Sequence, residues 1–477
     1  MVTGLFSILQ DFSTSSFQFE TPNNFVAGTY MEGTIFLKKF INFLKYDKFS
    51  INSLPFVLSI LLCVLVLSDV FNTMLIEQDG EVTLVSIKVI LEDIVMYFCI
   101  IEHSLNPEKK LKLIELVEND FMVDKSEYTG KSVEKWERLE KFFNRKRKDM
   151  EATSKYISMF MLFLCLGVIN RNVFNTMLGM KPGSKGSEGW MTPFPSHTPP
   201  DSDPSAFFVY AFTLQTLIVV VLGTEGFFIQ NTVCLSTDRI VADFETIYLL
   251  LDDLTRDFGG EREGEMCGTM GEREEEMYGR MGEREEEMYG NIEDREGVIY
   301  RKIADREEEM YKIDEVALKK DMHRIVKCHQ NLLRNFRLCA TNSAFSMSVL
   351  NLVILNDSCY NAYFMLTSND VKRTVYYGVL FTLVNLTVFF VYRNGQRIFN
   401  QNQILRQSIT QLPWTDKPRW FRQTVCIMMT RANVDTEMKP YGIYLLNYMA
   451  FKDLMKFAFS VGNVLYSKKL ANQSQAM

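Results

Sequence analysis

Apolar residues gather into seven long stretches along this chain, at 54–76, 82–101, 156–177, 206–230, 339–366, 374–392 and 441–465. A helix needs roughly 20 apolar residues to cross the hydrocarbon core of a bilayer. The pattern therefore predicts an all-α, polytopic membrane protein with seven transmembrane helices. The segments between them alternate in basic content. Lys38, Lys39, Lys45 and Lys48 precede the first span, whereas the link at 77–81 has no Lys or Arg. The loop at 102–155 has thirteen, 178–205 has two, 231–334 is again rich, 367–373 has two and 393–440 has eight. Basic residues are retained on the cytoplasmic side, so the N-terminus reads as cytoplasmic and the C-terminus as extracellular.

The organisation that follows has a cytoplasmic segment at 1–53, then helices one to four over 54–230. These carry a basic cytoplasmic loop at 102–155 and a Pro/Gly-rich outer loop at 178–205. A long cytoplasmic loop at 231–334, helices five and six within 335–392 and a cytoplasmic segment at 393–440 come next. The last helix, 441–467, leads into a short extracellular tail at 468–477. The first 35 residues have no basic start followed by an apolar run, so no cleavable signal peptide is expected and the first span is expected to serve as a retained insertion signal.

Polar residues interrupt several spans. Lys88 and Glu92 stand four apart in the second and share a helix face, where they can neutralise each other. Glu225 near the inner end of the fourth, and Asp69 and Asn72 near the outer end of the first, are expected in water at the interface. Lys452, Asp453 and Lys456 sit in the seventh, where charge is costly unless it faces water or a partner. That helix is expected to line an aqueous path.

Two loops stand apart. Residues 180–205 contain six prolines with Gly and Ser, read as a flexible outer lid. Residues 260–314 are five consecutive 11-residue units, such as GEREEEMYGRM and EDREGVIYRKI. Eleven residues complete three helical turns, so their Met and Ile side chains would form a nearly straight stripe. The early units carry glycines that weaken helicity. Disorder grading into a helix that continues to the fifth span is expected, as a tolerated low-complexity insertion or a partner-binding helix.

Composition adds little chemistry. The 477 residues carry a net charge of −7, and mean hydropathy is near zero because charged loops dilute the spans. No basic face with interleaved aromatics suggests nucleic acid. The nine cysteines lack metal or disulfide spacing, and the four histidines, His103 among them, read as isolated or as ordinary helix residues. No phosphate-cradling glycine loop or nucleophile–base pair is found, so no catalytic residue, metal or other cofactor is expected. Aromatics crowd the outer halves of spans four and six: Phe208, Phe212, Tyr376, Tyr377 and Phe381. Some serve an interfacial belt. Phe212 and Phe381 sit deeper, and with Phe163 of the third span they are candidate linings of an apolar pocket for a small volatile or lipid-like ligand.

The C-terminal 60 residues or so resemble the end of insect odorant receptors. Trp414, Arg422, Met428, Met429, Arg431, Gly442, Phe451, Lys456, Ala458, Ser460 and Leu465 fit that pattern without a gap. Phe459 replaces the usual Tyr, Asp435 a common Pro, and Gly462 a common aromatic. The seven-span topology with an internal N-terminus extends the likeness over the chain. It is opposite to that of a G-protein-coupled receptor. Gustatory-type receptors share it, but their TYxxxxxQF ending is absent.

The resemblance implies a ligand-gated, non-selective cation channel of four subunits in the plasma membrane of olfactory sensory neurons. Each subunit would hold a small volatile organic ligand in a pocket among the outer halves of its spans. The last helix would line the pore, with Val464 at an apolar gate and Ser460, Val461, Phe457 and Ser467 on or beside the same face. The segment at 414–432 would join an anchor in which Trp414, Trp420, Phe421, Val425, Met428 and Met429, with Arg422 and Arg431, pack between subunits. The family's obligate co-receptor has different N-terminal and final-helix sequences, so this chain reads as a tuning subunit that forms a heterotetramer with that co-receptor.

Overall fold

The computed structural model describes residues 54–77, 80–118, 122–123, 125–128, 133–169, 192–199, 202–258, 292–368, 371–415, 417–434 and 436–475, with side chains from 315 onward in the 292–368 segment. Among the described residues the secondary structure is helical. The elements are α1 (Leu54–Ile76), α2 (Gly80–Leu105), α3 (Pro107–Glu118), α4 (Val133–Ile169), α5 (Pro204–Phe258), α6 (Ile292–Thr367), α7 (Val371–Thr410), α8 (Arg419–Ala432) and α9 (Tyr448–Gln475). Short 3-10 turns occupy Lys125–Glu127 and Pro440–Gly442.

All seven apolar stretches overlap these helices, with 170–177 outside the described residues and the seventh helical only from Tyr448. Five helices, α1, α4, α5, α6 and α7, are long and apolar enough to cross a membrane by length and composition. In α2 and α9 the charges Lys88, Glu92, Asp93 and Lys452, Asp453, Lys456 interrupt the apolar run. The surface bears out the apolar reading. On α1, Leu54, Leu58, Leu61, Val64, Phe71 and Leu75 point outward, as expected of a face in hydrocarbon rather than water.

Several helices do not stop where their apolar runs stop. α5 continues past Gln230 to Phe258, α7 past Tyr392 to Thr410, and α4 begins at Val133, well before its apolar half. α6 is a single helix of 76 residues, about 114 Å at 1.5 Å per residue. The polar halves of all four lie at one end of the bundle. There they pack around a large core that includes Leu139, Ile240, Phe244, Ile247, Leu318, Ile325, Ile398 and Leu405. Residues 231–258 and 315–338 are thus part of the helical body rather than loop. The repeat at 260–291 lies outside the described residues, and from Ile292 the backbone is helical into the fifth span.

Ion pairs between helices fasten this polar end. Arg138 of α4 meets Asp253 of α5, Lys135 reaches Asp257 and Asp321 of α6, Lys146 lies 2.5 Å from Glu245, and Arg397 of α7 meets Asp238. Arg239 and Asp243 form a fully buried pair at 3.0 Å, and Asn335 donates to the second Asp243 oxygen at 3.0 Å. Burial pushes the Asp238 and Asp243 carboxyls up, with Arg397 and Arg239 respectively opposing it.

The final helix starts later than the apolar run indicates. Pro440 opens a 3-10 turn in which Tyr441 and Gly442 take positive φ of 52° and 72°, which breaks the helix there. Asn447 then caps α9 by accepting the Ala450 N–H at 2.8 Å. The other end of α9 runs to Gln475, through the segment expected as a tail.

Part of the outer loop is docked rather than free. The Phe194 N–H donates to Gln215 Oε1 at 2.7 Å, Ser196 donates to Asp69 at 2.9 Å, and the His197 N–H meets Thr73 Oγ1 at 3.0 Å. Asp69 is therefore held by the loop instead of standing in water. The remainder, 170–191, lies outside the described residues.

Two glycines mark close approaches. A Cβ on Gly395 would overlap the carbonyl oxygen and side chain of Leu446, which joins α7 to the turn before α9. A Cβ on Gly462 would lie 3.1 Å from the Ala362 Cβ and 3.3 Å from the Tyr363 nitrogen. A larger side chain at 462 would be crowded by α6. Gly395→Ala is expected to destabilise the protein by about 1–3 kcal/mol, the usual cost of overpacking. A thermal melt of the purified protein followed by size-exclusion chromatography measures it, and an unchanged midpoint would contradict this packing.

Candidate functional site

The aromatic candidates divide between separate places. Tyr377 of α7 stacks on Phe364 of α6 with centroids 5.0 Å apart, and Tyr363 packs edge-on to Phe364 at 5.4 Å. Tyr376, Leu84 and Val85 of α2 and Leu465 of α9 border this cluster. Phe381, one turn further along α7, meets Phe459 of α9 edge-on at 5.1 Å. Phe208 and Phe212 stack on each other at 5.6 Å along α5. The structure thus brings Tyr376, Tyr377 and Phe381 to the α6–α7–α9 contact, which sequence spacing could not show.

Phe163 goes elsewhere. It lines a cavity of about 880 Å³ between α4, α5 and α7, beside Tyr156, Met159, Phe160, Leu383 and Phe390. The opposite end of that cavity is polar, with Lys146, Asp149, Asp238, Arg393 and Arg397. Gln230 forms part of the wall, its amide donating to the Thr387 carbonyl at 2.9 Å while its Oε1 is buried without a hydrogen-bond partner.

α9 packs chiefly on α6, with α7 second. Ala458 and Gly462 face inward, while Phe457, Ser460, Val464 and Ser467 are exposed on the outward side and Val461 is half-buried at its margin. Lys452 and Lys456 share an open groove with Ser460, Val464 and Ser467 along this surface. The stripe Asp453, Phe457, Ser460, Val464, Ser467 follows helical spacing, so the proposed gate and its neighbours share one unpartnered face of the protomer.

On α8 the placement differs from the sequence expectation. Phe421, Val425 and Met428 are buried in the chain's own core, with Trp414, Trp420 and Met429 packed against it. The Trp420 indole donates to Glu315 Oε1 at 3.2 Å, which fixes α8 to α6. An amphipathic helix buries its apolar stripe against the nearest available core, and here that core belongs to the same chain. The face left for a neighbouring subunit carries Arg422, Cys426, Ile427, Thr430 and Arg431, which are exposed.

One buried polar group escaped the sequence analysis. His103 on α2 contacts Glu225 of α5 through Nδ1 and Ser346 Oγ of α6 through Nε2 at 3.0 Å. Lys110 Nζ of α3 lies 3.1 Å from the same Glu225 oxygen and 4.1 Å from the centre of the Phe228 ring. Glu225 is therefore sealed in protein rather than at the water interface, and His103 is not isolated. Burial draws the Lys110 ammonium below its ordinary range, with Glu225 pulling the other way. Cys99, one turn before His103, completes a set whose ligand atoms lie within 4.8 Å of one another. These three could hold a metal ion, but Lys110 already supplies the positive charge that Glu225 needs. The Cys–His spacing of four was readable in sequence; a partner 122 residues away was not. Likewise Lys88, whose charge also acts on Glu92, pairs with Asp357 of α6, and Glu92 accepts from Asn356 at 3.2 Å, so both residues reach a second helix.

Residues 128–459 match the family described as "7tm Odorant receptor". The match spans α4 to the first half of α9 and ends five residues before Val464. The fold is similar to the solved structure of the olfactory receptor OR5 from Machilis hrabei. The TM-score is 0.60 at 11% identity, with 91% of this chain and 98% of that one covered. The same receptor in complex with eugenol aligns with a TM-score of 0.55 at 12% identity, covering 91% and 99%. No curated protein matches the chain.

The Glu225 cluster makes a stability prediction. Lys110→Met alone strands a buried carboxylate and is expected to cost about 3–5 kcal/mol, whereas Lys110→Met with Glu225→Gln removes both charges and costs less. Thermal unfolding of the single and double variants in detergent tests the order. A double variant that is less stable than the single would contradict the pairing.

Proposed function

This chain belongs to the 7tm odorant receptor family, and from that premise we propose that it is a tuning subunit that binds a small volatile organic ligand and opens a non-selective cation pore in a heterotetramer with the odorant co-receptor. The membrane would be the plasma membrane of olfactory sensory neurons, with the basic loops inside and α9 ending outside. The distribution of Lys and Arg between spans supports that orientation.

The observation that carries the reading is the direct packing of the aromatic cluster on the last helix. Phe381 touches Phe459, and Leu465, next to Val464, borders the Tyr363–Phe364–Tyr377 group. A ligand seated against Tyr376, Tyr377 and Phe381 would bear on α9 through rings already in contact. It would favour the open state only to the extent that it binds that state better. Val464, 64% exposed in the single chain, would meet its counterparts at the narrowest point, where an apolar ring holds a pore shut by dewetting. Exposed Lys452, Asp453 and Lys456 suit a water-lined approach. The exposed side of α8, from Arg422 to Arg431, would join the inter-subunit anchor.

Cells expressing the chain with the co-receptor should give odorant-evoked cation currents that are absent when either is expressed alone. An N-terminal tag should stay unstained until the cells are permeabilised. Staining of intact cells would reject the orientation, and with it the channel reading.

Val464→Ser should ease wetting of the constriction, raising resting current or altering permeability ratios while preserving the ranking of odorants. Phe381→Ala removes an apolar contact worth roughly 1.5–3 kcal/mol and should shift the dose–response curve with permeability ratios unchanged. Normally trafficked Val464→Ser channels with unaltered leak and permeability would count against the pore assignment.

A further inference from the structure

The cavity between α4, α5 and α7 has a shape and a chemistry that the odorant reading does not use. On α4 it runs from Lys146 to Phe163, about 25 Å at the helical rise. That is close to the depth of one bilayer leaflet, about 20–22 Å from midplane to the outer edge of the headgroups. Its deep wall is apolar: Ile157, Phe160, Phe163, Leu383, Leu386 and Phe390. Met159 and Phe163 are 69% and 51% exposed, so the wall opens sideways towards the hydrocarbon.

The other end is a cationic mouth. Lys146, Arg393 and Arg397 line it, with the two acids Asp149 and Asp238. Lys146 and Arg397 are partly answered by Glu245 and Asp238. Arg393 is exposed and sits near an Asp238 that Arg397 already holds. Over 141–149, α4 carries Lys141, Arg145, Lys146, Arg147 and Lys148 against the single acid Asp149, and of these Lys146 and Asp149 line the opening. Two basic clusters far apart in sequence, each just beyond an apolar span, therefore meet at one opening. An odorant without charge has no use for such a mouth. A soluble phosphate has no use for the apolar wall.

We propose that this cavity is a binding site for one anionic phospholipid, its phosphate held by Arg393 with Lys146 and Arg397 and an acyl chain laid along Phe160, Phe163, Leu386 and Phe390. Because α4, α5 and α7 all border the site, an occupied cavity ties the polar end of the bundle to the membrane face. The inference rests on the membrane reading of α4 and α7. In nanodiscs with the same lipid in both leaflets, it does not depend on which side is cytoplasmic.

The test uses the full-length protein, assembled with the co-receptor, in nanodiscs of phosphatidylcholine with or without phosphatidylinositol 4,5-bisphosphate. Retained lipid is read by native mass spectrometry and affinity by a fluorescent analogue of the same lipid. The anionic lipid should be retained selectively, and Arg393→Gln should weaken it about fivefold, as expected for about 1 kcal/mol per basic residue near a charged headgroup. Arg393→Gln with Lys146→Gln should weaken it further, and Phe160→Ser should weaken it without changing its salt dependence. Arg393 is exposed, so the single variant tests binding in a protein that still folds, as its size-exclusion profile will show. Equal retention of phosphatidylcholine, or binding untouched by Arg393→Gln, would overturn the proposal. So would equally tight binding of soluble inositol phosphates, because the apolar wall would then play no part. A failure of odorant-evoked current with lipid binding intact would count against the channel reading alone.

Discussion

A helix of 55 residues cannot be accommodated by a bilayer, and α5 is such a helix. At about 80 Å it exceeds a 30 Å hydrocarbon core more than twofold, so its second half must be covered by protein. From Gly226 to Ala242 nearly every residue is buried, polar ones included. Around this pillar α4, α6 and α7 are obliged to extend as far as it does. Their polar halves follow from that obligation. Polar groups that the cover buries need partners, and several come from other helices: Asn231 to Ser154, Asp243 to Asn335, Asp238 to Arg397, Tyr248 to the Gln401 carbonyl. Buried charges unpaired in this way would each cost several kcal/mol. The ladder thus sets which helices can neighbour α5 and in what register.

The same logic explains why the apolar end and the polar end differ in construction. Towards the membrane the helices meet through aromatic and small side chains and leave leucines and valines facing outward. At the far end they meet through ion pairs around an apolar core. α8 is drawn into that core because its apolar stripe, Phe421, Val425, Met428 and Ala432, has somewhere to go within the same chain.

The apolar runs on α1, α4, α5, α6 and α7 were legible in sequence, because a run of apolar residues is a local signal. Patterning did not reveal where those helices end. Past Gln230 the chain becomes polar, and a polar helix buried by pairing looks in sequence like a solvated loop. The same blindness placed Glu225 in water and left Asp357 and Asn356 out of the surroundings of Lys88 and Glu92. Spacing within one helix is visible from sequence, whereas His103 to Glu225 or Lys88 to Asp357 requires two helices to be docked first. The start of α9 was missed for another reason: Tyr441 is apolar enough to count towards a span, and its positive φ has no signature in hydropathy. The aromatic residues were recognisable as a group, but not that Phe381 would touch Phe459 while Phe163 faced a different cavity.

The contact between Gly462 and Ala362 has a mechanical side. Large side chains interlock as knobs in holes, and one helix can slide past another only by rotating those side chains out of their wells. A seam of Gly462 on Ala362, with Ala458 turned to the same side, has no knobs to disengage. At that point a sideways push on α9 meets no interlocked side chain of α6. That smooth stretch of α9 lies between Phe459 and Leu465, the two side chains that the aromatic rings of α7 and α6 lean on.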